Sequence, residues 1–356
     1  MTVKIKFLKR TIFFIVTFLF LSPNTFQAQV ADPNGFEGAF SRSMVGQKAA
    51  LIVVGPSVSG KTALSFGQWG ATLYDLLSAE YGYLTENIRL LYANGDRDKI
   101  LGDRVAGNAD LETLEIEIKA LSKKLSSGDQ VSIFLIGHGT GFGVEAKFNI
   151  VGPDITGSSF DDLLMEFSEQ DLVVVDTTSA SYGFARALSD RGRVVVSATR
   201  SASEKYDPVF AQYFVNGLEN HNADRDKNGR VSVFEAFSYA RVNVMSHYEN
   251  LDRLASEHSG LDDNGDNIFS ATLGSDDLDG RLAEIAYVDA STLNGKTLSP
   301  VEQELQLKVQ LLERKVFKLR ARKSELLEDK YWLQMEALLI DLARTTEVFL
   351  EKTNSL

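Results

Sequence analysis

Short apolar segments rich in Val and Ile alternate along the chain with segments in which apolar residues recur at helical spacing. The apolar segments are ALIVV (50–54), IRLLY (88–92), VSIFLI (131–136), LVVVD (172–176) and RVVVSA (193–198). Helical spacing is clear at Phe66, Trp69, Leu73 and Leu76, and again from Leu111 to Leu121. This alternation predicts an α/β fold, with a parallel sheet of about five strands covered by helices on both faces. Ligands of such sheets bind beyond the carboxyl ends of the strands.

The C-terminal part of the chain has a different pattern. Between Val301 and Leu350 there is no Gly or Pro, and apolar residues keep a spacing of three to four, interrupted by Lys323 and Lys330 where apolar residues would be expected. The spaced residues are Leu305, Val309, Leu312, Val316, Leu319, Leu326, Leu333, Ala337 and Ile340. Residues 299–352 are therefore predicted to form a coiled-coil helix, which either makes a homo-oligomer or folds back as a hairpin broken near Glu328. Residues 45–250 would form the α/β domain and residues 251–298 an acidic, loop-rich connector.

Residues 1–28 have the layout of a secretory signal peptide. Four basic residues precede an apolar run from Ile12 to Leu21, and a polar segment follows. The run is about half of the roughly 20 residues that span a bilayer, which makes a membrane anchor the weaker alternative. We therefore expect an exported protein, periplasmic or secreted, that is cleaved near Ala28 and keeps no membrane attachment.

Charge and cysteine content exclude several classes of partner and one class of catalytic residue. The formal net charge is −12, and the predicted leader carries four basic residues and no acids, so the mature chain would be more acidic still. An acidic protein is a poor partner for nucleic acid or anionic lipid. The chain has no cysteine, which excludes disulfides and a cysteine nucleophile.

The carboxyl ends of the third and fourth predicted strands carry candidate chemistry. His138 lies in GHGTG directly after the third strand, and DTTSASYGF (176–184) follows the fourth. In a parallel sheet these two loops would lie side by side. A His on one loop and a hydroxyl on the next would form a dyad for acyl transfer, with the His as base.

In these features the chain resembles the legumain–caspase clan of cysteine peptidases, over roughly Ala49 to Asn250. WGATLYDLLSAEYGYLTENIRLLY is similar to the legumain pattern of a helix, a Gly and ENI before the second strand. FLIGHG resembles the clan's His-Gly motif, LVVVDTTSAS its motif on the fourth strand, and VVVSATRSASEK its segment on the fifth. The resemblance implies a caspase-like fold, with His138 as the base and the Gly139 backbone N–H in an oxyanion hole.

The nucleophile of that clan is missing. Its cysteine would fall at Thr178, and a hydroxyl lacks the thiolate reserve of a thiol, whose pKa is about 8.5. The methyl group of Thr also restricts its side-chain rotamers. We therefore expect an inactive peptidase homologue that binds a peptide or protein as a scaffold. The alternative is a hydrolase in which Thr178, Ser179 or Ser181 is the nucleophile and His138 the base.

A second alternative is nucleotide binding. Residues 55–62 (GPSVSGKT) satisfy the phosphate-loop pattern G-x-x-x-x-G-K-[ST], in which backbone N–H groups surround phosphates. Asp176 would then hold Mg²⁺. Export and the strand-four resemblance both weigh against this interpretation, because an exported protein would meet little ATP.

The most specific motif is DRDKNGRVSVFE (224–235), which fits the twelve-residue EF-hand loop. Its predicted calcium ligands are Asp224, Asp226, Asn228, the Arg230 carbonyl, Ser232 and Glu235. Gly229 is the sixth residue, where the loop turns sharply, and we expect the bound Ca²⁺ to be structural. A second acidic run, DDNGDN (262–267), lacks both this Gly and a closing Glu, and is predicted to be a loop, with weak metal binding as the alternative.

Overall fold

Ten β-strands and nine α-helices make up the part of the chain that the structure, a computed structural model, describes: residues 38–42, 46–93, 95, 101–201, 203, 204, 206, 208–272, 279–290 and 298–354. The strands are β1 (Lys48–Val54), β2 (Ile88–Tyr92), β3 (Val105–Gly107), β4 (Gln130–Ile136), β5 (Gly139–Thr140), β6 (Lys147–Phe148), β7 (Ile155–Thr156), β8 (Asp171–Asp176), β9 (Val194–Ser197) and β10 (Gly260–Asp262). The helices are α1 (Gly60–Ala79), α2 (Leu111–Lys124), α3 (Gly157–Leu164), α4 (Ser181–Leu188), α5 (Phe210–Leu218), α6 (Val233–Asn250), α7 (Arg281–Ile285), α8 (Pro300–Ala321) and α9 (Glu328–Asn354). The predicted signal peptide lies outside the described residues.

The main sheet confirms the predicted α/β class and corrects the number of strands. Seven of the described strands form it in the order β10-β9-β8-β4-β1-β2-β3, and only β10 is antiparallel to its neighbour. All five predicted strands are present and occupy adjacent central positions. The two additional strands, β3 and β10, lie at the edges and have three residues each, which is too short for a recognisable hydrophobic pattern.

Both faces of the sheet are covered, as predicted. Alternate residues of β1 point into two hydrophobic clusters: Ala50, Ile52 and Val54 into one, and Ala49, Leu51 and Val53 into the other. Helices α1, α5 and α6 pack into the first cluster, and α2, α3 and α4 into the second. Burial on both faces explains why the central strands are continuous apolar runs.

The tail forms two helices, α8 and α9, that pack together as a hairpin. The predicted residues of α8 lie where the pattern indicated, with Val309, Leu312 and Leu319 buried. On α9, however, the predicted residues Leu333, Ala337 and Ile340 are exposed. The buried apolar positions are Tyr331, Met335 and Phe349, with Leu338 and Leu342 packed beside them. The turn at 322–327 separates the two helices, so the spacing of apolar residues in α8 does not continue in phase into α9. A pattern extended across the turn therefore selects the exposed face of α9. Coiled-coil pairing between chains stays a prediction.

The predicted connector contributes to the core. Leu261 in β10 and Leu282 in α7 have no exposed surface, and the described residues from 38 to 354 belong to one compact unit. Helix α8 packs on this core through Phe317. None of the described helices combines the length and the hydropathy needed to cross a membrane.

Candidate functional site

The loops after β4 and β8 meet at the carboxyl edge of the sheet. Leu135 of β4 pairs with Asp176 of β8, and the Thr177 hydroxyl donates a hydrogen bond of 2.8 Å to the Leu135 carbonyl. Gly139 packs so closely against the β8 loop that an added Cβ would lie 2.9 Å from Thr178 Oγ1 and 2.5 Å from Ala180 Cβ. Only a glycine therefore fits at position 139.

Thr178, at the position of the expected nucleophile, is enclosed by protein. It has no exposed surface, and its hydroxyl has no hydrogen-bond partner, so it is not paired with His138. Its backbone N–H donates to Asp176 Oδ1 at 2.9 Å. Burial raises the pKa of Asp176 to about 7, which the Thr178 amide opposes. The Thr178 hydroxyl also lies close enough to oppose this shift, although its geometry is not that of a normal hydrogen bond.

His138 makes its hydrogen bond to a residue that sequence reasoning did not single out. Its Nε2 lies 2.9 Å from Ser57 Oγ, and the Phe66 ring packs edge-on against the imidazole with 5.1 Å between ring centroids. Ser57 belongs to the loop after β1, and β1 is the parallel neighbour of β4. The carboxyl ends of neighbouring parallel strands share one edge of the sheet. Recognising that β1 lies beside β4 could therefore have indicated that Ser57 is close to His138.

The two other predicted hydroxyl nucleophiles have different surroundings. Ser179 Oγ donates to the Gly139 carbonyl at 3.2 Å and lies 3.4 Å from the Gly139 amide, the predicted oxyanion donor. Ser181 is completely buried, and its Oγ lies 2.9 Å from Thr199 Oγ1 and accepts from the Thr199 amide. Ser181 therefore joins two loops, and the structure presents it to no ligand.

A cavity of about 290 Å³ opens beside these loops. Its walls are glycine backbone, hydroxyl groups and two aromatic side chains, and the described lining contains no charged side chain. Gly139, Gly143, Ser179, Tyr182, Thr199 and Ser201 are among the lining residues. The pocket is suited to a neutral group that hydrogen-bonds to backbone and hydroxyls.

The phosphate-loop segment forms the predicted strand, loop and helix, but two of its serines are engaged within the protein. Ser57 pairs with His138, and the Ser59 side chain caps α1 by accepting from the Thr62 amide. Asp176, the proposed Mg²⁺ ligand, has no exposed surface. This geometry gives nucleotide binding no support beyond the sequence pattern.

The predicted EF-hand loop brings its acidic residues together. Carboxylate oxygens of Asp224, Asp226 and Glu235 lie within 4.8 Å of one another, close enough to share one cation. Burial and the charges of Glu235 and Asp224 raise the pKa of Asp226 to about 6. A divalent cation would relieve this mutual repulsion.

Local hydrogen bonds explain why these residues fold into a loop. Asp224 accepts from the amides of Asn228 and Gly229, and Gly229 has a φ of 80°, which favours glycine. Glu235 and Ser232 form a capping box that begins α6. Val231 is fully buried, and its carbonyl accepts from the Val288 amide. The Arg230 carbonyl and the Asn228 side chain complete a set of oxygens suited to a hard cation.

The second acidic run gains a residue that the sequence pattern did not include. Asp279 brings a carboxylate oxygen within 4.8 Å of those of Asp262 and Asp266. Asn267 takes the left-handed conformation, with a φ of 64°, at the position where the pattern lacks a Gly. The run is a loop, as predicted, and Asp279 lies too far along the chain to be recognised from a local motif.

Comparison with known proteins identifies no family for this chain: no protein-family model matches it, and no curated protein is similar enough to be a relative. The functional interpretation therefore depends on the geometry.

Proposed function

We propose that this chain is an exported, caspase- or legumain-like peptidase homologue that lacks catalytic activity and binds a peptide or protein at the strand-end cavity. The burial of Thr178 carries the proposal. A nucleophile must reach its substrate, and this hydroxyl has neither exposed surface nor a hydrogen bond to a base. The adjacent cavity offers backbone groups of Gly139 and Gly143 and hydroxyls of Ser179 and Ser201 to a ligand.

The chemistry of the cavity favours a neutral ligand group. Its described lining has no charge to neutralise a carboxylate or an ammonium group, and burying either without a partner is costly. An extended peptide with a small or medium neutral side chain fits such a cavity. The side chain brings no charge, and the peptide main chain supplies donors and acceptors for the backbone groups at the rim.

Calcium at the Asp224–Glu235 loop is the second part of the proposal. Three carboxylates, an amide oxygen and a backbone carbonyl are the ligand types that Ca²⁺ takes in a loop of twelve residues. The loop lies between α5 and α6, so a bound cation would fix the angle between two core helices.

A displayed library of short peptides, together with a fluorogenic peptide mixture, tests the binding function. We expect selective capture of peptides with neutral side chains and no turnover. Ser201→Tyr fills the cavity and should abolish capture, whereas Ser168→Tyr, at an exposed serine outside the cavity lining, should not. Capture that is unaffected by Ser201→Tyr would contradict binding at this cavity.

The Ser57–His138 hydrogen bond favours a second candidate, a hydrolase with a hydroxyl nucleophile. In that reaction Ser57 Oγ would bond to the acyl carbon as its proton passes to His138 Nε2. The leaving group would take that proton, and water would then release the acyl group from Ser57.

A fluorophosphonate probe distinguishes the two candidates, since it labels serines activated by a neighbouring base. A hydrolase predicts labelling of Ser57 that is lost in His138→Ala and kept in Ser59→Ala. Absence of labelling in the native chain would rule out this mechanism and support the inactive homologue.

A further inference from the structure

The calcium loop has a neighbour outside its own sequence, the helical hairpin α8–α9. Arg230, the seventh residue of the loop, points its side chain at this hairpin while its carbonyl belongs to the proposed ligand set. Arg230 Nη1 lies 3.4 Å from Glu313 Oε2 of α8, and both side chains are largely buried. A Cβ added to Gly229 would lie 3.6 Å from Leu350 Cδ2 of α9. Helix α8 therefore pairs with the loop, and α9 lies close beside it.

Arg230 is tightly packed but incompletely bonded. Its guanidinium lies over the Tyr287 ring, with 3.2 Å between Cζ and the ring centroid. Its Nη2 is buried without a hydrogen-bond partner. The charge of Glu313 is thus important for this guanidinium, because a buried cation is costly unless it is paired.

The rest of the boundary between loop and hairpin is open. A groove of about 1320 Å³ separates them, and Asp226, Asn228 and Glu235 line it together with Leu342 and Leu350 of α9. Proposed cation ligands therefore face the hairpin across a space. The hairpin is anchored by α8, through Phe317 in the core and the Arg320–Glu284 ion pair.

From this arrangement we infer that the hairpin is part of the calcium site: Glu313 acts through Arg230 as a positioning residue, and cation binding and hairpin docking strengthen each other. The inference rests on the proposed calcium binding. It adds that residues 300–354 regulate the affinity of a loop about 80 residues before them.

Electrostatics gives the sign of the coupling. Glu235 and Glu313 both carry a negative charge and line the same groove, and Arg230 pairs with Glu313. In the cation-free loop, therefore, Glu235 and Glu313 repel each other. A divalent cation held by Glu235 cancels this repulsion and attracts Glu313. By linkage, a hairpin that binds more tightly to the loaded loop must raise the cation affinity by the same factor.

Calcium titration of the full-length chain tests the inference, with affinity measured by competition against a chromophoric chelator. We expect Glu313→Gln to weaken Ca²⁺ binding by about fivefold or more, the lower end of typical allosteric coupling. Glu304→Gln, an exposed glutamate on the same helix, is the matched control and should bind as the native chain does. Leu350→Ala gives a second variant that changes the contact with the loop without changing charge, and it too should weaken binding.

Hydrogen exchange supplies the reciprocal measurement. Ca²⁺ should slow exchange of the amides in 328–354 in the native chain, and less so in Glu313→Gln. A merely structural role would lower the stability of the cation-free variant but leave its affinity unchanged. Native Ca²⁺ affinity in folded Glu313→Gln and Leu350→Ala would overturn the coupling and leave calcium binding intact. Absence of Ca²⁺ binding in the native chain would overturn both.

Discussion

The proposed calcium loop and the strand-end site both contain buried polar atoms, but these atoms are satisfied very differently in the two regions. In the loop, the carboxylates of Asp224 and Glu235 accept backbone hydrogen bonds that fix the turn. At the strand ends, Thr178 Oγ1 and Asp176 Oδ2 are buried with no partner. An unsatisfied buried polar atom costs about 1–3 kcal/mol. The loop carboxylates thus have hydrogen-bond partners within the chain, whereas the strand-end pair lacks them.

This contrast agrees with the two parts of the proposed function. A loop that binds a cation needs its ligands in place before the cation arrives. If the strand-end site has lost a nucleophile, as proposed, its surrounding frame would still be needed, because Gly139, Asp176 and Thr177 also hold the sheet edge together. Under the proposal these residues are kept for packing.

The largest expected effect is a loss of Ca²⁺ affinity when Glu235 of the proposed calcium loop is replaced. Glu235→Gln removes the bidentate carboxylate at position twelve but keeps an oxygen that accepts from the Ser232 amide, so α6 should still begin normally. We expect Ca²⁺ affinity, measured by calorimetry, to fall by more than the roughly 10- to 100-fold typical of an outer-shell partner.

Glu112→Gln is the control for this experiment, because Glu112 is an exposed acid in the first turn of α2. It should leave the affinity unchanged. Equal affinity in Glu235→Gln and the native chain would remove the distinction between the two regions, since the loop would then be a solvated turn.

How much the sequence predicts depends on whether a feature is contiguous. The central strands are recognisable because each is buried on both faces, and all of the proposed calcium ligands lie within twelve consecutive residues. Ser57 and His138 are 81 residues apart, and only the pairing of β1 with β4 brings them together. Asp279 joins Asp262 in the same way, and the turn at 322–327 changes the register of α9. Each feature that was not predicted depends on a contact between segments that are distant in the sequence.

The next effect concerns the pH dependence of stability at the strand ends. Burial raises the pKa of Asp176 to about 7 in the folded chain, against about 3.9 for an unfolded Asp. The folded state therefore binds the proton more tightly, and the stability from this group is present below pH 4 and lost as the pH rises to about 7. The loss amounts to at most about 1.4 kcal/mol per pH unit.

Comparison of Asp176→Asn with the native chain isolates this group, because other shifted acids such as Asp226 and Glu257 are the same in both. Asn cannot ionise and still accepts from the Thr178 amide. The free energy of unfolding of the variant, measured in urea, should rise relative to native between pH 4 and 7. A difference independent of pH would mean that the Asp176 carboxylate is well solvated or paired, and the contrast between the two regions would weaken.

The smallest expected effect is a difference in the free energy of unfolding between variants at two adjacent residues, Thr177 and Thr178. The Thr177 hydroxyl donates to the Leu135 carbonyl, whereas the Thr178 hydroxyl has no partner, and both residues are buried. Replacement by Val keeps the branched shape, so Thr177→Val should lower the free energy of unfolding by about 1 kcal/mol, the value of one hydrogen bond. Thr178→Val loses no bond and removes an unsatisfied hydroxyl, so its stability in the same urea titration should equal or exceed that of the native chain. If instead the two variants were equally destabilised, the Thr178 hydroxyl would have a partner in solution, and a polar network reaching His138 would remain at the strand ends.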